Sequence, residues 1–157
     1  MMLLSSPSTG TTARSTSVLQ RNTKLYGPMN AIDLSNKSSC WNSDGTANGN
    51  EYISFFIDFH RVVSVEEIRM QFQGGFVAKE FHISTIIEDL ENSSSGNWRE
   101  MDDDAIEPLD TNQIQIFNLS HENPLWKKCT GIRIDFDSST DFYGRITLYQ
   151  IQVWGQE

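Results

Sequence analysis

Apolar residues recur at every second position over most of this chain, and that period constrains the fold more than any other feature. In residues 53–59 every odd position is Ile or Phe, and two of the three even positions are polar. Further runs with this period lie at residues 68–73, 81–83, 113–116, 132–136 and 146–153. A helix would repeat about every 3.6 residues, and only a short stretch near residues 30–34 does so. The sequence therefore predicts an all-β fold of antiparallel strands, a sandwich or a barrel.

The alternation also predicts which side of each strand faces the core. Ile114 and Ile116 alternate with glutamines, so we expect both isoleucines to point inward. In the last run the apolar positions are even up to residue 148 and odd from residue 151. One extra residue near Tyr149 would keep both halves of that strand facing the core. The sequence therefore predicts a β-bulge at this point.

Charge is distributed unevenly along the chain. The 12 Lys and Arg residues against 21 Asp and Glu residues give a net charge of −9. Residues 1–32 contain no acid and carry +3, so residues 33–157 carry −12, from 9 basic minus 21 acidic residues. Binding to nucleic acid or to an anionic membrane requires an excess of Lys and Arg. We therefore expect no nucleic acid and no membrane among the partners.

Two segments have the composition of loops. Residues 1–16 are mostly Ser, Thr, Gly and Pro and show no apolar period. They predict a flexible tail before one domain at residues 17–157, with a transit peptide as the alternative. Residues 88–110 contain nine acids and one Arg. They lack the alternating spacing of a Ca²⁺ loop, so a solvated acidic loop is favoured over a cation site.

The sequence offers no constellation for catalysis. It contains no nucleophile elbow, phosphate loop, zinc-protease motif or paired CxxC motif. His60, His82 and His121 lie in unlike contexts, and Cys40 has no basic neighbour that would lower its pKa. We therefore expect a protein that is not an enzyme and has no cofactor.

The cysteine content favours an intracellular location. Two cysteines, Cys40 and Cys129, do not make the framework of a disulfide-stapled secreted domain. The apolar run at residues 1–4 is also shorter than the core of a secretory signal. Whether the two cysteines pair stays open at this point.

Three segments concentrate aromatic and polar side chains of the kind that recognise ligands. They are CWNSD at residues 40–44, QFQGGF at residues 71–76 and STDFYGR at residues 139–145. The competing interpretation is structural: Trp41 would lie in the core, Asp44 would pair with Arg145, and the two adjacent aromatics would close one end of the fold. The candidate binding residues are Trp41, Asn42, Asp44, Gln73, Phe76, Asp141, Phe142, Tyr143 and Arg145.

The same three segments, with SVLQRNTKLYG at residues 17–27, resemble the discoidin, or coagulation factor V/VIII type C, superfamily. The resemblance covers roughly residues 17–155. Within the superfamily, the sequence most resembles a small intracellular branch associated with nuclear receptors. The resemblance implies a jelly-roll β-sandwich of the galactose-binding-like type and a non-enzymatic binding module. The branch is described as a repressor that binds an orphan nuclear receptor and blocks its activation of transcription. The resemblance thus implies a protein partner, a nuclear receptor, and a location in nucleus and cytoplasm.

The superfamily binds its ligands at loops on one end of the sandwich, where the resemblance places the three segments. Many members also hold a structural Ca²⁺ in the loop that corresponds to residues 31–40, completed by a Glu in the last strand. Here Asp33 is the one metal-ligand candidate in that loop, and Gln150 occupies the position of the Glu. The lost charge disfavours calcium, so we expect no metal.

Two classes of function remain after these arguments. The first is an intracellular protein-interaction module; a subunit of a ciliary transport complex is a related version, because a small domain of this superfamily serves there. The second is a lectin-like glycan binder, in which sugars would stack on aromatic residues and bond to fixed polar groups. Its contacts would come from Trp41, Phe142, Tyr143 and Arg145.

Overall fold

The computed structural model of the chain describes residues 1–45, 52–87, 99–100, 105–119 and 122–157. Its regular elements are nine β-strands and two one-turn helices, with three short 3₁₀ turns between them in these ranges. The strands are β1 (Met2–Leu3), β2 (Thr12–Ser15), β3 (Trp41–Asn42), β4 (Ile53–Phe72), β5 (Ala78–Ile86), β6 (Arg99–Glu100), β7 (Ile114–Asn118), β8 (Cys129–Ser139) and β9 (Thr147–Gln156). The helices are α1 (Thr23–Tyr26) and α2 (Met29–Ile32).

The strands form two antiparallel sheets that share β4. The first half of β4 pairs with β2 on one side and β8 on the other, and β8 continues to β5 and β6. The second half of β4 lies between β7 and β9, and the far side of β9 carries β1 and β3. This is the all-β jelly-roll sandwich that the sequence predicts.

Strand β4 passes from one sheet to the other at a corner centred on His60. His60 has a left-handed backbone with φ of 55°, and the pairing with β8 shifts between Asp58 and Val63. The Asp58 carboxylate accepts a hydrogen bond from the His60 amide at 2.9 Å, which supports this conformation. His60 therefore has a structural position at the corner between the two sheets.

The predicted bulge in the last strand is confirmed. Gln71 pairs with Gln150, and the next residue of β4, Phe72, pairs with Leu148, so Tyr149 is the extra residue. Leu148 and Ile151 are both fully buried on either side of it, while Tyr149 is exposed. The bulge thus returns the strand to the core face after a change of parity.

The core between the sheets is rich in aromatic rings. Phe136 lies at its centre, with ring centroids 5.8 Å from Trp41, 6.0 Å from Phe72 and 5.9 Å from Phe81. All four side chains are at most 1% exposed. The contacts with Trp41 and Phe72 cross from one sheet to the other and hold the two layers together, whereas Phe81 pairs with Phe136 within one sheet.

The structure corrects the predicted orientation of β7. The strand forms, but Ile114 and Ile116 are 48% and 54% exposed. Phe117 points inward instead, and its ring meets Phe81 edge-on at 5.2 Å. In this orientation β7 buries the ring of Phe117 and the side chain of Leu119. Burying these two stabilises the fold more than burying the two isoleucines on the other face would.

The structure also corrects the predicted flexible tail at residues 1–16. These residues supply β1, which pairs with β9, and β2, which pairs with β4. Leu4 is fully buried in the core. The polar composition misleads because main-chain pairing, rather than an apolar stripe, holds this segment in place.

Arg61 joins the two ends of the chain at the same place. Its guanidinium donates to the carbonyl of Leu4 at 3.2 Å and to the Thr11 hydroxyl at 3.2 Å. Its Nε lies 2.6 Å from the carboxylate of Glu157. The Arg61 side chain thus links the N-terminal segment to the C-terminal residue by hydrogen bonds and an ion pair.

Both cysteines are free thiols. Burial raises the pKa of Cys129 to about 12 and also raises the pKa of Cys40 above its usual value. A thiol needs a lowered pKa to act as a nucleophile at neutral pH, so neither residue is activated. Within the described residues, none of the helices has the length and apolar character needed to cross a membrane.

Candidate functional site

The structure brings the three predicted segments together at one end of the sandwich. Asn42 at the end of β3 pairs with Thr147 at the start of β9, so the loops on both sides of this pair are neighbours. A Cβ atom at Gly45 would lie 2.4 Å from the carbonyl oxygen of Tyr143, so only glycine allows the two loops to approach this closely. We call the residues exposed or half-exposed at this end the rim: Asp44, Gln73, Phe76, Asp141, Phe142, Tyr143 and Arg145.

Arg145 is the centre of the rim. Its guanidinium carbon lies 5.5 Å from the ring centre of Phe76 and 5.4 Å from that of Tyr143. Its Nε donates to the Asp141 carboxylate at 3.0 Å. The competing interpretation pairs Arg145 with Asp44; in the structure Arg145 bonds directly to Asp141 instead, and Asp44 adds only its charge nearby.

The loop that carries the two exposed aromatics is held by short hydrogen bonds. The Asp141 carboxylate also accepts from the backbone amide of Arg145 at 3.1 Å. The Ser139 hydroxyl donates to the Arg145 carbonyl at 2.6 Å and accepts from the Asp141 amide at 3.0 Å. Gly144 donates from its amide to the Asp141 carbonyl at 3.0 Å. These bonds fix the loop, so its side chains are presented in a defined arrangement.

Two aromatic side chains project from this loop into solvent. Phe142 is 93% exposed and Tyr143 is 65% exposed. Their rings pack edge to face with centroids 5.3 Å apart. Exposed aromatics on a fixed loop are typical of recognition surfaces, because they bury a large area at a low cost in side-chain entropy.

The ionisation of Asp141 is tied to this geometry. Burial raises the pKa of the carboxyl, but hydrogen bonds from the Arg145 side chain and amide, the charge of Arg145 and the backbone of Tyr143 outweigh burial. The net result is a pKa below the ordinary value of 3.8. The same hydrogen bond raises the pKa of Arg145. Both groups are charged at neutral pH, so the pair adds no net charge to the rim.

This lowered pKa predicts a pH dependence for the rim loop. A carboxyl whose pKa falls on folding stabilises the fold above its unfolded pKa and loses that effect as pH falls through its folded pKa. We expect the Asp141→Asn variant to unfold at a lower urea concentration than wild type from pH 7 down to pH 5. The difference should shrink as pH falls below the ordinary carboxyl pKa, where the unfolded chain takes up the proton first, and should be lost as pH passes through the lowered pKa of folded Asp141. Urea unfolding at several pH values measures it.

Glu107→Gln is the matched control, because it removes an exposed carboxylate from another loop. Its urea midpoint should follow wild type at every pH. A gap between wild type and Asp141→Asn that stays constant down to pH 2 would contradict the role given to the Asp141 charge.

The second segment contributes a turn. The amide of Phe76 donates to the Gln73 carbonyl at 3.0 Å, and Gly75 has φ of 87°. Residues 73–76 therefore form a tight turn, and glycine suits its third position, Gly75, because that position has the left-handed conformation. Gln73 and Phe76 are half-buried at the ends of this turn.

Trp41 lies in the core and not at the rim, which corrects its assignment as a binding residue. Its side chain is 0% exposed, and its ring meets Phe55 edge-on at 5.0 Å. The indole N–H donates to the Ser17 carbonyl at 3.0 Å and to the Ser15 hydroxyl at 3.1 Å. The ring is fully packed and its polar atom is paired, so Trp41 has nothing left to offer a ligand.

Asn42 is half-buried beside Trp41. Its carbonyl oxygen is buried, and it has no hydrogen-bond partner among the described residues. Ser43, which follows it, was not predicted as a site residue. Ser43 is fully buried, and its hydroxyl accepts from the Ile146 amide at 2.8 Å. It ties the first segment to the third, a role that a lone serine does not reveal in a sequence.

The residues that correspond to the calcium loop line a separate cleft of about 460 Å³. Asp33 and Gln150 both border it, with Gln71 and Tyr149. The Asp33 carboxylate already accepts from the amide and hydroxyl of Ser35, at 3.1 Å and 2.5 Å. The Gln150 side chain donates to Gln71 at 2.7 Å. One carboxylate and an amide do not fit Ca²⁺, and the described residues hold no cluster of three His, Cys, Asp or Glu.

The comparison with solved structures identifies the fold. No family model matches the chain. Chitosan-binding module 1 of a chitosanase/glucanase from Paenibacillus sp. IK-5 superposes with a TM-score of 0.73 at 14% identity, over 99% of this chain and 100% of the module. An F5/8 type C domain of a Bacteroides fragilis protein gives 0.73 at 14% identity, over 94% and 92%. The family 32 carbohydrate-binding module of Clostridium perfringens NanJ, in complex with galactose, gives 0.65 at 16% identity, over 97% and 98%. The chain therefore has the discoidin, galactose-binding-like fold.

The comparison with curated sequences identifies the family. The nuclear receptor 2C2-associated protein of Danio rerio is 36% identical over 148 residues, which are 94% of this chain and 92% of that protein. The protein of the same name from Xenopus laevis is 34% identical over 154 residues, 98% and 100% of the two chains. The human protein is 28% identical over 147 residues, 94% and 93%. The chain belongs to the family of nuclear receptor 2C2-associated proteins.

Proposed function

We propose that this protein is a non-enzymatic interaction module that binds a nuclear receptor through its rim and lowers the receptor's activation of transcription. The single observation that carries the proposal is the pair of exposed aromatics, Phe142 and Tyr143, on a loop fixed by Asp141 and Arg145. The name of the relatives supplies the class of partner. The protein would act in the nucleus and the cytoplasm.

The chemistry of the rim supports a protein partner. Interface cores are enriched in aromatic residues and Arg, and both types lie side by side here. Arg145 keeps about a third of its side chain accessible, 35%, although it already bonds to Asp141. A partner that covers this end would therefore bury two rings and the edge of a guanidinium whose charge is already balanced.

The proposal predicts a specific loss of binding. We expect the Phe142→Ser/Tyr143→Ser variant to bind purified nuclear receptor 2C2 at least about tenfold more weakly than wild type, because central aromatics dominate interface energies. Its stability should stay near that of wild type, since both rings are exposed. Biolayer interferometry with the immobilised receptor measures the affinity, and a receptor-driven reporter gene measures repression.

Ile114→Ser/Ile116→Ser is the matched control. It also removes two exposed apolar side chains, but from the outer face of β7. It should bind as wild type does. Equal loss in both variants, or no binding of wild type, would overturn the proposal that the rim contacts the receptor.

Glycan binding at the rim is the second candidate, favoured by the fold of the carbohydrate-binding modules and by the exposed ring of Tyr143 beside Arg145. Trp41 takes no part in this version because it is buried. A glycan array at millimolar sugar, with and without calcium, tests it. Binding that is lost in Arg145→Ala would support a lectin, and no binding to any glycan would exclude it.

A further inference from the structure

A second surface with recognition chemistry lies beside β2, and none of its residues belongs to the rim. It is a groove of about 270 Å³ with β2 residues Ala13, Arg14 and Ser15 on one side. Val18, Pro28 and Met29 are among the residues that line the rest of it. Clefts that hold whole small molecules usually measure about 300–1,000 Å³. This groove is smaller, so it suits a side chain of a partner better than a complete small molecule.

One wall of the groove is an open sheet edge. Among the described strands, β2 pairs only with β4. The Thr16 amide donates to the Ser54 carbonyl, so in this antiparallel ladder Thr16, Arg14 and Thr12 direct their peptide groups toward β4. The peptide groups of Ala13 and Ser15 therefore point away from the sheet and toward the groove. An edge of this kind can pair with an added strand.

The outward N–H of Ala13 is held by an acceptor that a peptide carbonyl can replace. It donates to the sulfur of Met29 at 3.1 Å. A thioether is a weak acceptor on a flexible side chain, and Met29 is itself 39% exposed. Movement of the Met29 side chain would free the Ala13 N–H for a partner carbonyl and would also widen the groove.

Arg14 is the one charged side chain among the described residues that line the groove, and it lies in the basic part of the chain. The first 32 residues carry +3 and no acid, whereas the other 125 carry −12. Arg14, which borders the groove, is exposed and its guanidinium carbon lies 3.8 Å above the ring centre of Phe56. Among the described residues, no carboxylate forms an ion pair with Arg14, Arg21 or Lys24. This positive charge is available to a partner.

We propose that the edge of β2 and its groove bind an extended segment of a partner protein, which adds a strand to β2 and places an apolar side chain, flanked by Asp or Glu, in the groove. Main-chain hydrogen bonds to Ala13 and Ser15 fix the register of the partner segment against β2, and the groove accepts one apolar side chain of that segment. Arg14 selects for acidic neighbours through charge complementarity. This site is independent of the rim and of the partner proposed for it.

Selection from a phage-displayed library of random dodecapeptides, panned on the full chain, tests the proposal. We expect the enriched peptides to share an apolar residue flanked by carboxylates. A fluorescent synthetic copy of the strongest one should bind Arg14→Glu about tenfold more weakly than wild type, since one attraction becomes a repulsion. Lys79→Glu makes the same charge change on β5 and should keep the affinity within about twofold.

Two further measurements separate strand addition from simple charge attraction. Ala13→Pro removes the outward N–H at an edge position where proline is tolerated, and it should abolish peptide binding. A second test uses the wild-type protein and so does not depend on the folding of Ala13→Pro. Methylating the peptide amides one at a time should weaken binding at every second position. No enriched peptide, affinity unchanged in Arg14→Glu, or a methylation profile without a period of two would each overturn the proposal. Loss of peptide binding in the Phe142→Ser/Tyr143→Ser variant would place the peptide at the rim and would also overturn the proposal.

Discussion

Replacing Trp41 with Ala should lower the free energy of unfolding by about 3–5 kcal/mol, the range measured for large aromatic side chains removed from a packed core. The ring is fully buried between Phe55 and Phe136. Its loss also leaves the Ser17 carbonyl without the indole donor that reaches it at 3.0 Å. Urea unfolding followed by circular dichroism measures the change. Because typical domains are stable by only about 5–15 kcal/mol, the variant should be partly unfolded near body temperature.

Phe142→Ala is the matched control for Trp41, since it truncates an aromatic side chain that is 93% exposed. Its stability should lie within about 0.5 kcal/mol of wild type. The two variants thus separate a core residue from a surface residue within the candidate site. A Trp41→Ala protein as stable as Phe142→Ala would show that Trp41 is not part of the core.

Deleting residues 1–16 should have an effect at least as large. The deletion removes β1 and β2, so the edges of β9 and β4 lose their partners. It removes fully buried Leu4, whose burial alone contributes about 1.5–3 kcal/mol. It also takes away two of the acceptors that hold Arg61, the Leu4 carbonyl and the Thr11 hydroxyl. We expect a chain that unfolds without a cooperative transition, or that aggregates through its exposed strand edges.

Leu4→Ala provides a graded comparison for the deletion. It keeps both strands and creates only a cavity, so it should cost about 2–5 kcal/mol and leave a single cooperative transition. Differential scanning calorimetry distinguishes the two cases. A deleted chain that melts cooperatively within a few degrees of wild type would mean that residues 1–16 are an appendage after all.

Much of the fold follows from the period of two in the sequence. The alternation around residues 53–59 and 68–72 predicts the buried faces of β4, and the parity change predicts the bulge at Tyr149. These inferences succeed because side chains on a strand alternate strictly between two faces, so a buried face must appear in the sequence. The method fails for β7, because each face of this strand carries both polar and apolar side chains and the large ring of Phe117 decides which face is buried.

The first strands could not be predicted for a related reason. Residues 12–15 are Thr, Ala, Arg and Ser, and none of them buries a large apolar side chain. They are held by main-chain pairing with Asp58, Ile57, Phe56 and Phe55, which lie at least 40 residues away in the sequence. A single sequence contains no signal for such pairing, because every residue has the same peptide group.

The candidate site, like the fold, could be predicted from the sequence only in part. The three segments do meet at one end of the sandwich, because turns and exposed aromatics mark the loops there; that they bind a partner stays a prediction. Their individual members differ: Trp41 and Tyr143 are both aromatic residues beside polar ones, yet Trp41 is buried and Tyr143 is 65% exposed. Which of them reaches solvent depends on the register of β3 against β9, and that register follows from the fold.

Hydrogen–deuterium exchange of the protein, alone and with nuclear receptor 2C2, tests the central claim most directly, because it maps the contact without a mutation. The account predicts slower exchange of amides at residues 139–145 and 73–76 in the complex, with β7 unchanged. Protection confined to other parts of the chain, or no protection at receptor concentrations that saturate binding, would contradict the claim that the rim is the contact surface.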